Sequence, residues 1–465
     1  MPSADPGNAT ICADFGSTFT KTSLVDLRTG RIVAAAEHRT TIETDVLDGY
    51  DACLASLIAQ DPRASGAEVL ACSSAGGGLR VLVVGNEELV TAEAGRRVAL
   101  SSGGKVVAVV AAAGSGHDAD VQAVLDRTTP PPDLVLLTGG TDGGNAEVLV
   151  TAAHALVASG WQGPVVLAGN AEAAAEVSSI LGDVPHVVAD NVVPRIGVLQ
   201  PESARAAIRQ VFLSHVIGGK ELSSREDGRA FRALVRGATP DIVLSGVEVL
   251  AEVTGDVVVV DVGGATTDVH SVVELDPEDA GLARDVVAAS PQTRTVEGDL
   301  GMRWSALSTV ESAGLTDLIG AAAARVADPA YLPATQGDRD DDEAIARAAV
   351  ALALRRHAGR SKVVLGPGGR LVERSGVDLR RVDLVVASGG VLRHGREGVA
   401  ARVLDGSVGP TAGQDGGWQL PERPDVVVDG DYVLAAVGLL ADSHPATARR
   451  LASCLLAGAP DPRLL

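Results

Sequence analysis

The sequence predicts an α/β chain of two related lobes with an additional α/β insert in the first lobe, and three observations carry that prediction. A strand–glycine–hydroxyl–strand unit occurs twice, as DFGSTFTK at 14–21 and DVGGATTD at 261–268. Between the copies, short apolar runs alternate with helix-like stretches, the pattern of a parallel sheet covered on both faces. The chain's 465 residues are also more than a single hydrophobic core usually organises.

In chain order, ATICADF reads as a strand, then a glycine turn, then two more strands, KTSLVDL and RIVAAAEHR, parted by RTG. Strands in such close succession predict an antiparallel meander. A helix is expected over 46–60 and a strand at EVLACSSA, so that residues 1–80 form the N-terminal part of the first lobe. Residues 81–195 make the insert, with strands at RVLVVG, KVVAVVAAAG, DLVLLTGG, PVVLAGN and PHVVADN. Residues 196–255 read as a helical return to the first lobe, and 256–465 as the second lobe. There DVVVVDV, GGAT and TDVHSVVEL repeat the opening unit, and DLVVASGGVLRHG and DVVVDGDYVLAAVGLLA complete it. The charged run at 335–345 is expected to be a solvated loop leading into the helix DEAIARAAVALALRRH.

Composition narrows the function. A formal net charge of −21 would repel nucleic acid over most of the surface, and no Lys/Arg cluster offers a basic groove. Aromatic residues are 2% of the chain, so Ala, Val, Leu and Ile must fill the cores. Cys12, Cys53, Cys72 and Cys454 show neither a C-x-x-C pair nor zinc-like spacing, and read as buried thiols in a reducing compartment. No apolar run reaches the length of a membrane span, and MPSADPGNA does not read as a signal peptide. The expectation is a cytoplasmic protein without membrane contact.

Both glycine units suit a phosphate. Asp14 and Asp261 end buried strands, which puts a carboxylate at the carboxyl edge of a sheet, where ligands gather. Gly16 in one unit, and Gly263 and Gly264 in the other, let the main chain approach a phosphate and offer unhindered N–H donors. Ser17, Thr18 and Thr20, and Thr266 and Thr267, supply hydroxyls, and Lys21 a cation that points either to phosphate or to solvent. Mg²⁺ is usually held through one or two carboxylates plus phosphates, a role that Asp14 and Asp261 fit. Either unit alone reads better as a glycine turn with polar filler. Two in matching strand contexts, with Ser388, Gly389 and Gly390 after the strand DLVVA, point to a nucleotide. Asp268 is a catalytic candidate for orienting water, or a structural acid. Phe15 and Phe19 are expected as core wedges under the first turn. No P-loop or dinucleotide-binding motif occurs.

In their order, D-x-G-S-T-x-T-K, D-x-G-G-A-T-T-D and S-G-G resemble the phosphate-1, phosphate-2 and adenosine motifs of the actin/sugar-kinase/Hsp70 ATPases, over nearly the whole chain except the insert. The resemblance implies duplicated ribonuclease-H-like lobes in a two-lobed actin-like ATPase, with ATP and Mg²⁺ as cofactors. It implies Asp14 and Asp261 as magnesium-water carboxylates. Gly16, Ser17, Thr18, Gly263, Gly264, Thr266 and Thr267 would then lie at the β- and γ-phosphates, and Gly389 and Gly390 against adenosine. A narrower resemblance lies in LLTGGTDGGNAEVLVTAAHALVASG at 136–160, PVVLAGNAEAAAEV at 164–177, TVEGDLGMRWSA at 295–306 and GDYVLAAVGLLA at 430–441. These look like the accessory proteins of glutamate (methylaspartate) mutase, called GlmL or MutL and unrelated to the DNA-repair protein of the second name. That family accompanies adenosylcobalamin-dependent mutases. The resemblance therefore implies an ATP-dependent reactivase or chaperone, a weak ATPase rather than the mutase catalytic subunit, with cobalamin-dependent mutase subunits as partners.

On physical grounds TGGTDGGN at 138–145 reads as an anion-binding nest, a partner-contact loop or a tight connection. VEGDLGMR gathers Glu297, Asp299 and Arg303, for which a salt-bridged turn is the plain alternative. The scattered histidines support no metal or cobalamin site. A small-molecule kinase of the same fold would need a base near its substrate, and the sequence names none. A non-hydrolysing actin-like scaffold is the third class, and the sequence leaves room for a homodimer. The insert is the expected partner surface.

Overall fold

The computed structural model describes residues 6–75, 79–85, 91–111, 121–217, 222–274, 291–366, 369–413 and 416–457. The chain divides into two compact units: the first runs to Ser245 and takes in Gly438–Ala448, and the second holds most of Gly246–Val437 and the chain from Arg449.

In the first unit β1 (Ala9–Phe15), β2 (Phe19–Asp26) and β3 (Arg31–Arg39) form an antiparallel meander. Helix α1 (Val46–Gln60) crosses over, and β4 (Glu68–Ser73) returns parallel to β1. The chain then builds a second sheet from β5 (Leu79–Gly85), α2 (Thr91–Ser101), β6 (Gly104–Ala111), α3 (Val121–Arg127), β7 (Leu134–Leu137), α4 (Glu147–Ala158), β8 (Val165–Leu167), α5 (Ala174–Leu181) and β9 (His186–Val188). Its order is β6-β5-β7-β8-β9 and every pairing is parallel. Successive side chains of a strand face opposite sides. Val81, Val83, Leu134 and Leu136 accordingly join the core that holds Ile11, Phe15 and Leu24. Leu82, Val84, Val135 and Leu137 pack with Leu149, Ala153 and Val177 from α4 and α5. Burial on both faces is why these strands read as continuous apolar runs.

Helices α6 (Glu202–Val211) and α7 (Arg229–Leu234) lead to β10 (Val235–Ala238), which joins the first sheet beside β4, and α8 (Thr239–Thr254) follows. The reading of 196–255 as helical misses β10. Four residues that include Arg236 and Gly237 carry too little apolar pattern to declare a strand.

The second unit opens with β11 (Val257–Val262), β12 (Thr267–Val272) and β13 (Gln292–Glu297), again an antiparallel meander. After α9 (Ala306–Ser312), α10 (Ile319–Ala327), α11 (Gln336–His357) and the hairpin β14 (Arg360–Gly366) and β15 (Gly369–Ser375), β16 (Leu384–Ser388) pairs parallel to β11. Helices α12 (Gly390–Arg393) and α13 (Val399–Leu404) lead to β17 (Asp425–Val428), parallel to β16. The last described elements are α14 (Val433–Ala441) and α15 (Pro445–Ala457). The order β13-β12-β11-β16-β17 repeats β3-β2-β1-β4-β10 strand for strand, with the same sense at each pairing. This is the expected fold class: two ribonuclease-H-like sheets of the actin-like fold, with an added α/β sheet in the first half.

The run at 335–345 is a helix rather than a loop. Thr335 and Asp338 form a reciprocal capping box that starts α11, and the acid in its first turn suits the positive end of the helix. Asp342 is buried between Arg303 and Arg325, and Glu343 between Arg396 and Arg402. Charges that read as solvated are satisfied inside the fold.

Candidate phosphate-binding turns

Strand β1 carries Asp14 to the carboxyl edge of the first sheet, and the turn at 16–18 hands the chain to β2. The Gly16 N–H donates to the Phe19 carbonyl at 3.1 Å, and a Cβ on Gly16 would lie 2.6 Å from that oxygen, so the closure requires glycine. Thr40 braces the turn from outside, its hydroxyl donating to the Gly16 carbonyl (2.8 Å) and its N–H to that of Thr18 (3.0 Å). Ser17 and Thr18 are exposed. Thr20 is not: it is fully buried, with its hydroxyl 3.3 Å from that of Thr40, because strand alternation turns it inward. Phe15 is the expected wedge, edge-on to Phe231, but Phe19 is 40% exposed, since the turn uses its carbonyl and leaves its ring outside. Half-buried Asp14 accepts the Thr239 hydroxyl at 2.7 Å, with the Cys72 thiol 3.5 Å away. Lys21 stands opposite Asp14 in the β1–β2 ladder and so shares its face.

The second unit repeats this construction. Gly263 donates to the Thr266 carbonyl at 2.9 Å, and a Cβ on Gly263 would lie 2.9 Å from the same oxygen. Laid over each other, the hairpins bring Asp14 onto Asp261, Gly16 onto Gly263, Phe19 onto Thr266 and Lys21 onto Asp268. Gly264 is exposed and Thr266 half-buried, whereas Thr267 is fully buried, as Thr20 is, and for the same reason. Asp268 accepts the Thr266 hydroxyl (3.0 Å) at one oxygen and meets the buried Arg294 guanidinium (2.6 Å) at the other. With both oxygens engaged, Asp268 braces β12 against β13.

Strand β16 sets buried Ser388 beside Asp261. Gly389 has φ +114°, and a Cβ there would lie 2.3 Å from the Val262 carbonyl, whereas Gly390 faces open space. The first glycine lets the two strand ends close together, and the second leaves flat main chain accessible at the start of α12. Sequence reasoning missed a further acid, Asp429. It is buried just beyond β17 and accepts the Val433 and Leu434 N–H groups at 2.7 and 3.2 Å, capping α14. Burial, with smaller contributions from the charges of Asp261 and Asp431, outweighs those hydrogen bonds and raises its pKa from 3.8 to about 6. The signal was present, since DVVVDG ends an apolar strand in Asp as ICAD does. Thr239, which orients Asp14 from 225 positions away, gave none.

The glycine loop at 138–145 is closed by its own chain. Asn170 donates to the Gly144 carbonyl (3.2 Å), and Asn191 to the Gly140 carbonyl (3.0 Å) and to Asp142 (2.9 Å). A Cβ on Gly140 would lie 2.5 Å from the Asn145 carbonyl, and one on Gly169 would lie 2.8 Å from that of Gly139. Of its three readings, these contacts describe the tight connection. In VEGDLGMR, Glu297 and Asp299 pair with Arg356 of α11 at 2.7 and 2.6 Å, not with Arg303. The Met302 and Arg303 N–H groups donate instead to the carbonyls of Gly263 and Gly264, so this segment lies directly on the second glycine turn.

Among the described residues, no group of three or more His, Cys, Asp or Glu could hold a metal ion. Taken separately, Asp14 and Asp261 each suit a cation carried mainly by waters and phosphates rather than by a protein cage. Among the same residues no helix is long and apolar enough to cross a membrane.

A family model described as MutL protein matches residues 10–455. Protein MutL of Clostridium tetanomorphum is 36% identical over 468 residues, covering 96% of this chain and 98% of that one. Among solved structures, the ethanolamine utilization protein EutJ from Carboxydothermus hydrogenoformans covers 94% of this chain and 90% of its own, at 12% identity and a TM-score of 0.32. A ligand-bound xylulose kinase from Lactobacillus acidophilus covers 98% and 94%, at 11% identity and a TM-score of 0.35. Likenesses this distant carry neither ligand nor activity to the chain.

Proposed function

The chain belongs to the MutL protein family, the glutamate mutase accessory family that its sequence resembles, and from that premise we propose an ATP-binding accessory protein that reactivates or chaperones an adenosylcobalamin-dependent mutase such as glutamate mutase. One observation supports the nucleotide most: a strand-end aspartate beside a closed glycine turn stands in both sheets, Asp14 with Gly16 and Asp261 with Gly263. Main-chain N–H groups and hydroxyls of Gly16, Ser17, Thr18, Gly263, Gly264 and Thr266 would bind phosphate oxygens, Lys21 would offset their charge, and Gly389 and Gly390 would lie against adenosine. Asp14 and Asp261 would each hold a magnesium-bound water. Mg²⁺ would supply neutralisation of the phosphate charge, on which phosphoryl chemistry mainly depends. Thr20, Thr267, Ser388 and Asp268, being buried or paired, would shape the turns rather than touch the ligand. The insert at 81–195 is our candidate surface for the mutase, because none of its described residues completes either turn.

Asp261→Ala is expected to abolish Mg-ATP hydrolysis and leave the melting temperature unchanged; normal turnover would remove the metal assignment. Purified protein should associate with an inactivated mutase in a nucleotide-dependent way and restore it. Failure of both association and recovery would sink the reactivase role.

A further inference from the structure

We infer that Arg303 is a positioning residue for the second glycine turn, anchored by the buried Asp342 carboxylate of α11; the inference rests on the nucleotide reading above. Three contacts fix the turn from one side: the Met302 N–H to the Gly263 carbonyl (3.0 Å), the Arg303 N–H to the Gly264 carbonyl (2.8 Å) and the Ser305 hydroxyl to the Ala265 carbonyl (2.7 Å). In a planar trans peptide the C=O and the following N–H point in opposite directions. Engaging three successive carbonyls therefore aims the N–H groups of Gly264, Ala265 and Thr266 to the other side, the arrangement that receives an anion.

The clamp is itself held. The Arg303 guanidinium donates to the Met302 carbonyl (2.7 Å), the Tyr331 carbonyl (3.2 Å) and Asp342 (3.3 Å). The second oxygen of Asp342 pairs with Arg325, which is fully buried. The approach is close, since a Cβ on Gly301 would lie 2.7 Å from the Gly264 carbonyl. A buried carboxylate with two arginines thus sets the height of the segment that sets the turn.

Hydrogen exchange on the full chain without nucleotide, with ATP affinity measured alongside, tests this. Arg303→Ala is expected to speed exchange of the Gly263 and Met302 amides and to weaken ATP binding about tenfold, with the melting temperature little moved because Asp342 keeps Arg325. Arg303→Lys should restore part of both effects, since it keeps the charge facing Asp342. Arg356→Ala releases Glu297 and Asp299 at the far end of the same segment, and should leave both readouts within about twofold. Unchanged exchange at Gly263 in Arg303→Ala overturns the inference. If exchange quickens while the unmutated protein binds no ATP, the clamp stands and the nucleotide reading falls.

Discussion

Asp429 carries an unusual load for a helix cap, because the group that satisfies the first N–H groups of α14 is also an acid shut away from water. Unfolded, it would titrate near 3.8, and folded it titrates near 6. Between those values the folded chain holds the extra proton, so its contribution to stability falls as pH rises from 4 to 6, and its charge above that range costs up to about 3 kcal/mol. Asp429→Asn is expected to remove that slope, measured as the difference between the two proteins in denaturant unfolding at each pH; an equal slope in both would refute it. Residues of this kind divide by how local their evidence is. Asp14, Gly16, Asp261 and Gly263 were legible because a strand, an acid and a glycine turn occupy a few consecutive positions. Thr20 and Thr267 show the limit of the same closeness, since a hydroxyl near a turn looks available in the sequence whether or not strand alternation turns it inward. Thr239, Arg294 and the anchoring of Arg303 by Asp342 join distant segments, and nothing in the sequence marks such pairs.

At the scale of elements, α11 is the member on which the second sheet depends. Its last residue, His357, lies between the hydroxyls of Ser271 (2.8 Å) on β12 and Thr295 (3.0 Å) on β13. Burial lowers its pKa from 6.5 to about 3, and burial with the nearby Arg294 and His357 holds His270 well below its usual range. The unfolded chain therefore binds more protons than the folded one between pH 6.5 and 3. These two histidines stabilise the fold fully above pH 6.5 and lose that contribution as pH falls, the opposite slope to that of Asp429. His357→Gln is expected to cost about 1–2 kcal/mol at pH 7 and to reduce the acid sensitivity, which urea titrations at pH 7 and pH 5 would measure. An unchanged pH 7 to pH 5 difference would contradict the assignment. The body of this helix was readable from its alanine and leucine spacing. Its first turn was not, because acids at 338–343 look alike whether water or arginine receives them.

Across the whole molecule, the repeated strand order makes the proposed ligand a property of the folded state alone. Mg-ATP at about a hundred times its Kd should stabilise the chain by about 2.7 kcal/mol, raising the melting temperature by about 3 °C if the 465 residues unfold together, and EDTA should cancel the gain. No shift with ATP and magnesium together would count against the cofactor reading. The duplication was legible because two turns repeat in sequence, and the alternating runs of the insert followed from burial on both faces. The lengths of the crossovers have a consequence of another kind. In the first half the long connection, residues 74–234, lies between β4 and β10, whereas its counterpart between β16 and β17 takes only 389–424. In the second half the long connection, 298–383, lies between β13 and β16, against 40–67 between β3 and β4. The two halves thus carry their extra length in different connections, while the strand order is the same in both. A scaffold of this kind takes on an attachment without a change of strand order, and because Phe231 and the apolar residues of β5 and β7 share the core of Phe15, the attachment becomes part of what holds the first turn in place.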